Sequence, residues 1–261
     1  MTILDHIVSD KRLEVNLRKK LIPVSQLERS VLFDRDTFSL SHVLQKSSTG
    51  IIAEHKRRSP SKSVINNDLN VFEVAKGYEV AGVNGMSVLT DGKYFGGSLD
   101  DLLIARSSCN LPLLRKEFII DEYQILEAKS YGADVILLIA AILTRDEIKQ
   151  FSELAKDLKM DVLLEVHNEG ELNKSIMPSL DMIGVNNRNL KTFEVSLETS
   201  KSLSEKIPVD FIKVSESGIS SVEAIKELRP YGYKGFLIGE NFMKTNNPGV
   251  SADKFIKKLR S

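Results

Sequence analysis

The chain has few of the residues that would tie it to a disulfide framework, a metal or a nucleic acid. Its single cysteine, Cys109, rules out a disulfide within the chain and is typical of a reducing compartment. The four histidines are scattered without metal-ligand spacing, so we expect no metal. The 36 basic and 36 acidic side chains balance, whereas nucleic-acid-binding proteins usually carry a basic excess.

Long apolar runs are also missing. No window approaches the roughly 20 apolar residues that a membrane-spanning helix needs. The first residues mix charged and apolar side chains and lack the apolar core of a secretory signal. We therefore expect a soluble, cytoplasmic protein that binds neither membrane nor nucleic acid. Its 261 residues suffice for one large domain with a substantial core.

After residue 48, short apolar runs alternate with longer amphipathic segments. Eight runs predict buried parallel strands, at 50–54, 85–90, 113–116, 135–139, 162–165, 182–186, 211–216 and 235–239. Eight strand–helix units predict a (β/α)8 TIM barrel. A doubly wound open sheet is the alternative, but it more often has fewer strands and a glycine-rich first turn, and the chain has no G-x-G-x-x-G motif.

Two intervening segments begin with capping signals. Thr144 followed by Glu147, and Ser220 followed by Glu223, both have the spacing of a capping box. We therefore expect helices to begin at Thr144 and at Ser220.

Residues 1–48 are expected to form an N-terminal helical extension packed on the barrel of residues 49–261, in a single domain overall. Pro23 should break its first helix, and a second helix is expected over 39–45. The apolar positions of the first helix are Leu4, Ile7, Leu13, Leu17 and Leu21. The extension either covers one mouth of the barrel or is a simple structural cap. A monomer and a homodimer both remain open, because these helices could pack on either subunit.

The most informative stretch combines the first strand with two charged residues. Glu54 and Lys56 are two positions apart, so their side chains leave the same face of an extended strand. Opposite charges on an inward face are costly unless they pair or meet a ligand. His55 between them should point away from the barrel interior. A solvated loop with incidental charges is the alternative.

Later strand ends repeat this pattern. In a barrel, the carboxyl ends of the strands meet at one face, where active sites lie. The later strand ends contribute the following polar side chains to this face: Lys116, Glu165, Asn186, Arg188 and Glu216. Charged side chains of both signs in a pocket that partly excludes water have shifted pKa values. Such shifts can suit these groups to act as acids and bases in catalysis.

The last two strand ends predict a phosphate site. Ser217 and Gly218 follow the seventh strand and Gly239 ends the eighth, where barrel enzymes recurrently bind phosphate. Ser59, after the first strand, could close the ring. The carboxylate of Glu240 must turn away and leave only its backbone N–H to bind. A tight turn is the alternative role of each glycine.

Seven segments resemble the sequence signatures of the indole-3-glycerol phosphate synthase family. They are IAEHKRRSPSK at 52–62, TDGKYFGGS at 90–98, LRKEFIID at 114–121, LEVH at 164–167, IGVNNRNL at 183–190, VSESGI at 214–219 and LIGE at 237–240. The likeness covers essentially the whole chain, including the extension. It departs mildly from the family at His55, Ser63 and Glu117, where an apolar residue, glycine and aspartate are usual.

The resemblance implies an enzyme that needs no cofactor and binds a small phosphorylated substrate. The family converts 1-(2-carboxyphenylamino)-1-deoxyribulose 5-phosphate into indole-3-glycerol phosphate, carbon dioxide and water. Lys116 is the expected acid at the carbonyl, and Glu165 is the expected base in the dehydration. Lys56, positioned by Glu54, is the expected second acid. Which lysine serves which step stays open.

The remaining site residues follow from the same resemblance. Asn186 and Arg188 are expected to bind and orient the substrate, and Glu216 to tune the lysines. Three apolar side chains are expected to form walls for the aromatic ring, or else to be ordinary barrel core: Phe95, Phe118 and Leu190.

Three rival functions remain. Another phosphate-binding barrel, such as a phosphoribosylanthranilate isomerase or a tryptophan synthase α-like lyase, would lack a lysine on both the first and the third strand. A Schiff-base aldolase could use Lys56 or Lys116, but Glu54 should keep Lys56 charged and poorly nucleophilic. A non-enzymatic binding or scaffold barrel predicts missing catalytic residues, and none is missing.

Overall fold

A closed parallel barrel dominates the computed structural model, which describes residues 2–190 and 192–261. Its strands are β1 (Ile51–His55), β2 (Gly85–Leu89), β3 (Leu113–Lys116), β4 (Val135–Ile139), β5 (Asp161–Val166), β6 (Met182–Asn186), β7 (Ile212–Glu216) and β8 (Tyr233–Ile238). β8 pairs with β1, so the sheet has no free edge and the open-sheet alternative is excluded. The TIM barrel prediction is confirmed.

The strands lie where the apolar runs predict them. β3, β4 and β6 have the predicted bounds, and the other five differ by at most two residues at either end. Most strand residues are buried, because helices cover the outside of the sheet and side chains fill its inside. Continuous apolar runs are therefore a reliable signal in this chain.

Helices separate the strands and cover the sheet. They are α1 (Ile3–Leu21), α2 (Val24–Leu27), α3 (Leu40–Lys46), α4 (Val71–Ala81), α5 (Gly92–Phe95), α6 (Leu99–Ser108), α7 (Glu122–Ser130), α8 (Arg145–Asp157), α9 (Glu169–Ser175), α10 (Glu198–Ser204), α11 (Val222–Leu228), α12 (Glu240–Met243) and α13 (Pro248–Arg260). A short 3-10 turn, Arg229–Tyr231, precedes β8.

One of the two predicted capping boxes is confirmed. Thr144 Oγ1 accepts a hydrogen bond from the Glu147 N–H, and Glu147 Oε2 accepts one from the Thr144 N–H. The prediction for Ser220 is wrong, because Ser221 is the N-cap of α11. The Ser220 carbonyl instead accepts a hydrogen bond from Asn241, so the chain is still in the loop at that residue.

The N-terminal extension reaches both ends of the barrel. Leu40 of α3 is fully buried, and its Cδ1 lies 2.6 Å from where a Cβ on Gly85, the first residue of β2, would stand. Helix α3 therefore closes the amino-terminal end of the barrel. Helix α1 contributes Ile3, Leu4 and Ile7 to the cavity at the opposite end. Helix α1 ends at Leu21, two residues before Pro23, as predicted, and Pro23 is the N-cap of α2.

The buried face of α1 does not follow all of its apolar positions. Of these positions, Leu13, Leu17 and Leu21 are 65%, 60% and 77% exposed. The buried residues of this helix are Ile7, Lys11 and Val15. Ion pairs of the Lys11 ammonium with buried carboxylates of the barrel orient the helix, and apolar periodicity alone does not reveal such partners.

The division into an extension of residues 1–48 and a barrel of residues 49–261 stays a prediction. Two residues of these ranges, Met1 and Lys191, lie outside the described residues. Within the described part of the chain, no helix is both long and apolar enough to cross a membrane.

Candidate active site

One cavity of about 410 Å³ opens at the carboxyl ends of the strands. All fifteen site residues expected from the sequence line it: Glu54, Lys56, Ser59, Phe95, Lys116, Phe118, Glu165, Asn186, Arg188, Leu190, Glu216, Ser217, Gly218, Gly239 and Glu240. Its volume lies within the usual range of small-molecule sites. The barrel thus gathers residues that are up to 186 positions apart in the chain.

Lys116 lies at the centre of the charged groups. Its ammonium forms an ion pair with Glu216 Oε2 from β7 and lies 3.3 Å from Glu165 Oε2 of β5. Burial alone would lower the pKa of Lys116, but the charges of Glu216, Glu165 and Glu54 more than offset it and raise that pKa above its usual value. Lys116 is therefore a charged, largely shielded proton donor, with its side chain 13% exposed.

Glu54 and Lys56 pair along β1. Glu54 Oε1 lies 2.7 Å from the Lys56 ammonium, and Glu54 Oε2 accepts a hydrogen bond of 3.3 Å from Ser87. Burial disfavours the Glu54 carboxylate, but the charges of Lys56 and Lys116 outweigh it and place the pKa of Glu54 below its usual value. His55 is buried outside the cavity lining, so its predicted orientation is confirmed.

The other two carboxylates differ in protonation. Burial would raise the pKa of Glu165, but Lys116, His167 and a hydrogen bond from Asn186 hold it below its usual value. Burial raises the pKa of Glu216 to about 7, against the opposing charge of Lys116 and with the help of Glu165. At neutral pH, Glu165 is thus a free base while Glu216 is near its midpoint.

The end of β6 carries the amide and guanidinium groups of the cavity. Asn186 Oδ1 accepts a hydrogen bond of 3.0 Å from the Arg188 N–H, which holds the turn after β6. Arg188 bonds back to the Phe193 carbonyl at 3.2 Å and pairs with Val195 in an isolated bridge. The guanidinium is therefore held at the rim of the cavity, where it can meet an anion.

Aromatic side chains form one wall. Phe95 and Phe118 lie with ring centroids 6.0 Å apart at an angle of 43°. Leu190 lies in the same lining, together with the α1 residues Ile3 and Leu4. An apolar wall opposite fixed charges suits a planar aromatic ring that bears a polar chain.

The loops after β7 and β8 form the other end of the cavity. Ser217 has φ of 65°, which is uncommon for a residue other than glycine, and the next residue, Gly218, also has positive φ. A Cβ at Gly239 would lie 2.6 Å from Glu54 Oε1, so this close approach requires glycine. Asn241 bonds to the Ser220 carbonyl and ties the two loops together.

Glu240 lies beside this end of the cavity with its carboxylate engaged. Its Oε1 lies 2.7 Å from the ammonium of Lys62, on the loop after β1. Lys62 lowers the pKa of Glu240, so the carboxylate is ionised and balanced by a cation. That the carboxylate turns away from a bound phosphate stays a prediction, and Lys62 is a partner that the sequence pattern did not assign to it.

Sequence reasoning missed several residues around the site. The α1 residues that line the cavity come from a segment expected either to cover one mouth of the barrel or to be a structural cap, and none of them was assigned to the site. Gly184 of β6 makes room for Glu216, because a Cβ there would overlap Glu216 Oε1. His167 lies 3.4 Å from Glu165 Oε1. Its place two residues after Glu165 in the sequence was the available signal.

Comparisons with known proteins agree on one family. A family model described as indole-3-glycerol phosphate synthase matches residues 4–259. An indole-3-glycerol phosphate synthase of Bacteroides thetaiotaomicron is 46% identical over 258 residues and covers 99% of both chains. That of Caldanaerobacter subterraneus subsp. tengcongensis is 44% identical over 258 residues, again with 99% of both chains covered.

Among solved structures, KGPDC from Streptococcus mutans is similar in fold. It has a TM-score of 0.61 and 12% sequence identity, and the match covers 81% of this chain and 97% of that chain. At this identity the likeness supports the barrel fold alone.

Proposed function

The chain belongs to the indole-3-glycerol phosphate synthase family, and we propose how the side chains of its cavity divide the work of that family's reaction. The reaction turns 1-(2-carboxyphenylamino)-1-deoxyribulose 5-phosphate into indole-3-glycerol phosphate, carbon dioxide and water, within tryptophan biosynthesis. The chain is accordingly a carboxy-lyase, EC 4.1.1.48.

Lys116 acts as the acid of ring closure. When the aromatic ring carbon attacks the substrate carbonyl, the oxygen gains negative charge, and the step stalls unless that oxygen is protonated or stabilised. The Lys116 ammonium lies in the cavity, and Glu216 and Glu165 keep it charged. This placement of a charged donor between two carboxylates is the observation that carries the proposal.

Lys56 and Glu165 serve the later steps. Loss of carbon dioxide restores the aromatic ring, and dehydration then needs an acid on the hydroxyl and a base for the neighbouring C–H. Lys56, held by Glu54 at 2.7 Å, faces the substrate carboxylate and is the second acid. Glu165 takes the carbon-bound proton, since its lowered pKa keeps it ionised at neutral pH.

The remaining residues bind and orient the substrate. Asn186 and Arg188 hold its polar chain, and Glu216 tunes Lys116. The apolar wall of Phe95, Phe118 and Leu190 receives the aromatic ring.

The phosphate lies at the opposite end of the cavity. Its proposed partners are Ser59, Ser217, Gly218, Gly239 and the backbone N–H of Glu240.

Two variants test these roles. Lys116→Met should stay folded and lose roughly 10²- to 10⁴-fold in turnover, the range of a positioned acid. Glu165→Gln should accumulate an intermediate at or before dehydration in single-turnover experiments that follow indole fluorescence. Lys46→Met, an exposed lysine of α3 at the far end of the barrel, is the matched control.

The wild-type assay contains no added metal or cofactor, and turnover should survive a chelator. Near-normal turnover in Lys116→Met would remove its assigned role. A Glu165→Gln variant with no slowed step would remove the base. A borohydride-trapped adduct with a carbonyl substrate would favour the Schiff-base aldolase instead.

We also propose the cellular compartment and the oligomeric state of the chain. The Cys109 thiol is buried and unpaired, which suits the reducing cytoplasm. A monomer or a homodimer is expected, and size-exclusion chromatography with light scattering distinguishes the two.

A further inference from the structure

His167 follows the last residue of β5 and lies between two carboxylates. Its Nε2 lies 3.4 Å from Glu165 Oε1, and its Nδ1 lies 3.2 Å from Glu171 Oε2 on α9. The three side chains form a row that begins at the cavity with Glu165 and ends at Glu171. The roles proposed above do not use His167.

Glu171 holds the imidazole in place. Its Oε2 accepts a hydrogen bond of 2.8 Å from the His167 backbone N–H as well as the contact with the ring. Its Oε1 accepts one of 2.7 Å from Asn168, the N-cap of α9. The ring is therefore anchored on the Nδ1 side, and its Nε2 is directed at Glu165.

The other ring nitrogen of His167, Nε2, faces Glu165. It is buried and makes no hydrogen bond among the described residues, although Glu165 Oε1 is within charge-pairing distance. A buried polar atom without a partner is costly unless it engages at some stage of function. Because Glu171 holds the ring, Glu165 Oε1 is the carboxylate oxygen that Nε2 faces.

The charges around the ring favour its protonated form. Glu165, Glu171 and Glu216 act on it, and Lys116 is the cation paired with Glu165. Burial would lower the pKa of His167, but the Glu171 hydrogen bond and the three carboxylates more than offset it and raise that pKa. An imidazolium can donate from both nitrogens.

We propose that His167 is a positioning residue that orients Glu165 and favours its ionised form. The proposal rests on the assignment of Glu165 as the base of dehydration. The imidazolium keeps both of its protons: Nδ1–H is held by Glu171, and Nε2–H is directed at Glu165 Oε1. Its positive charge lowers the pKa of Glu165, so the carboxylate is ionised and held in one orientation when it takes the proton from carbon.

The row of groups is suited to this role. The Glu165 side chain is 7% exposed and that of Glu171 is 16% exposed, so Glu171 anchors the ring at its outer end while the imidazolium acts on Glu165 at the inner end.

The test compares His167→Gln, Glu171→Gln and the exposed control His42→Gln across pH 5.5 to 9. For His167→Gln we expect kcat to fall roughly tenfold or more at neutral pH, with KM within about twofold, because the reacting base is misplaced while the binding groups remain. His167→Gln should also move the acidic limb of the kcat profile to higher pH, because Glu165 loses the charge that lowers its pKa, and Glu171→Gln should move it in the same direction but less. Added imidazole should partly restore kcat to His167→Ala.

A purely structural role would instead lower stability and raise KM without changing the pH profile or permitting rescue by imidazole. Wild-type kcat and pH profile in His167→Gln would overturn the proposal, as would the absence of rescue in a folded His167→Ala. Glu165→Gln is measured alongside. If it is inactive while His167→Gln behaves like wild type, only this inference fails. If Glu165→Gln is active, the assigned base fails first.

Discussion

Lys116 on β3 and Glu216 on β7 form an ion pair across the inside of the barrel, 100 residues apart in the chain. Glu165 and Glu54 lie around the same pair, and Lys56 is the second cation. Three buried carboxylates thus face two ammonium groups. The excess negative charge is relieved at Glu216, whose pKa is raised to about 7, while Glu54 and Glu165 stay ionised.

This arrangement predicts how Glu216 affects stability. Its folded pKa of about 7 lies above the unfolded value of 4.5, so the folded state holds an extra proton in between. The stabilisation is present below pH 4.5 and is lost as pH rises to 7, by up to roughly 3 kcal/mol. Glu216→Gln removes this titration. The urea midpoint of Glu216→Gln should therefore rise relative to that of wild type as pH increases from 5 to 7.5. A difference between the two midpoints that stays constant over this range would contradict the prediction.

The Lys62–Glu240 pair predicts an effect on substrate binding. The two side chains are 44% and 45% exposed, so the pair itself should be worth less than about 1 kcal/mol. Lys62→Gln leaves an unpaired carboxylate beside the proposed phosphate position. We expect KM to rise about two- to fivefold with kcat unchanged, and more so at low salt.

The double variant Lys62→Gln/Glu240→Gln provides the control. It should bring KM back towards the wild-type value, because the repelling carboxylate is gone. A KM that rises further in the double variant would show that Lys62 contacts the substrate directly.

The buried ion pairs of Lys11 predict that truncating this side chain greatly lowers the free energy of unfolding. Its ammonium is 1% exposed and lies 2.7, 2.9 and 3.1 Å from Glu14, Asp91 and Glu117. Lys11→Met should destabilise the protein by about 3–5 kcal/mol, because buried carboxylates lose their counter-ion. KM should also rise, since α1 carries part of the cavity wall. Denaturant unfolding and steady-state kinetics measure the two effects.

Lys19 offers a matched comparison on the same helix. It lies 2.6 Å from Asp121, but both side chains are partly exposed, at 41% and 30%. Lys19→Met should cost less than about 1 kcal/mol. Equal losses in the two variants would mean that burial does not set the strength of these pairs.

The buried imidazole of His55 predicts that the folded protein loses stability in acid. It is 1% exposed, neither ring nitrogen has a hydrogen-bond partner among the described residues, and burial lowers its pKa to about 4. The unfolded chain binds this proton near pH 6.5, so stability falls from pH 6.5 to pH 4 by up to roughly 3 kcal/mol. His55→Leu should remove that loss.

The check for His55 is a comparison of unfolding midpoints at pH 7 and pH 4.5. His55→Leu should gain on wild type as pH falls. If both proteins lose stability in parallel over this range, His55 is not the group responsible.

Local sequence determined the strands and the charged groups at their ends. Short apolar runs form buried strands wherever they lie, so β3, β4 and β6 could be predicted to the residue. Because parallel strands of a barrel share one carboxyl end, the pattern that begins with Glu54 and Lys56 could also be assigned to one cavity. These features depend on periodicity and on topology, and both can be recognised along the chain.

Only the tertiary structure decided which groups are partners. The pairing of Lys116 with Glu216, the contact of His167 with Glu165 and the room that Gly184 leaves depend on neighbours that are distant in sequence or on side-chain orientation. The buried face of α1 is likewise set by long-range ion pairs of Lys11, against the apolar pattern of the helix. Sequence spacing describes contacts along an element, whereas charge pairing and burial are settled by what packs against it.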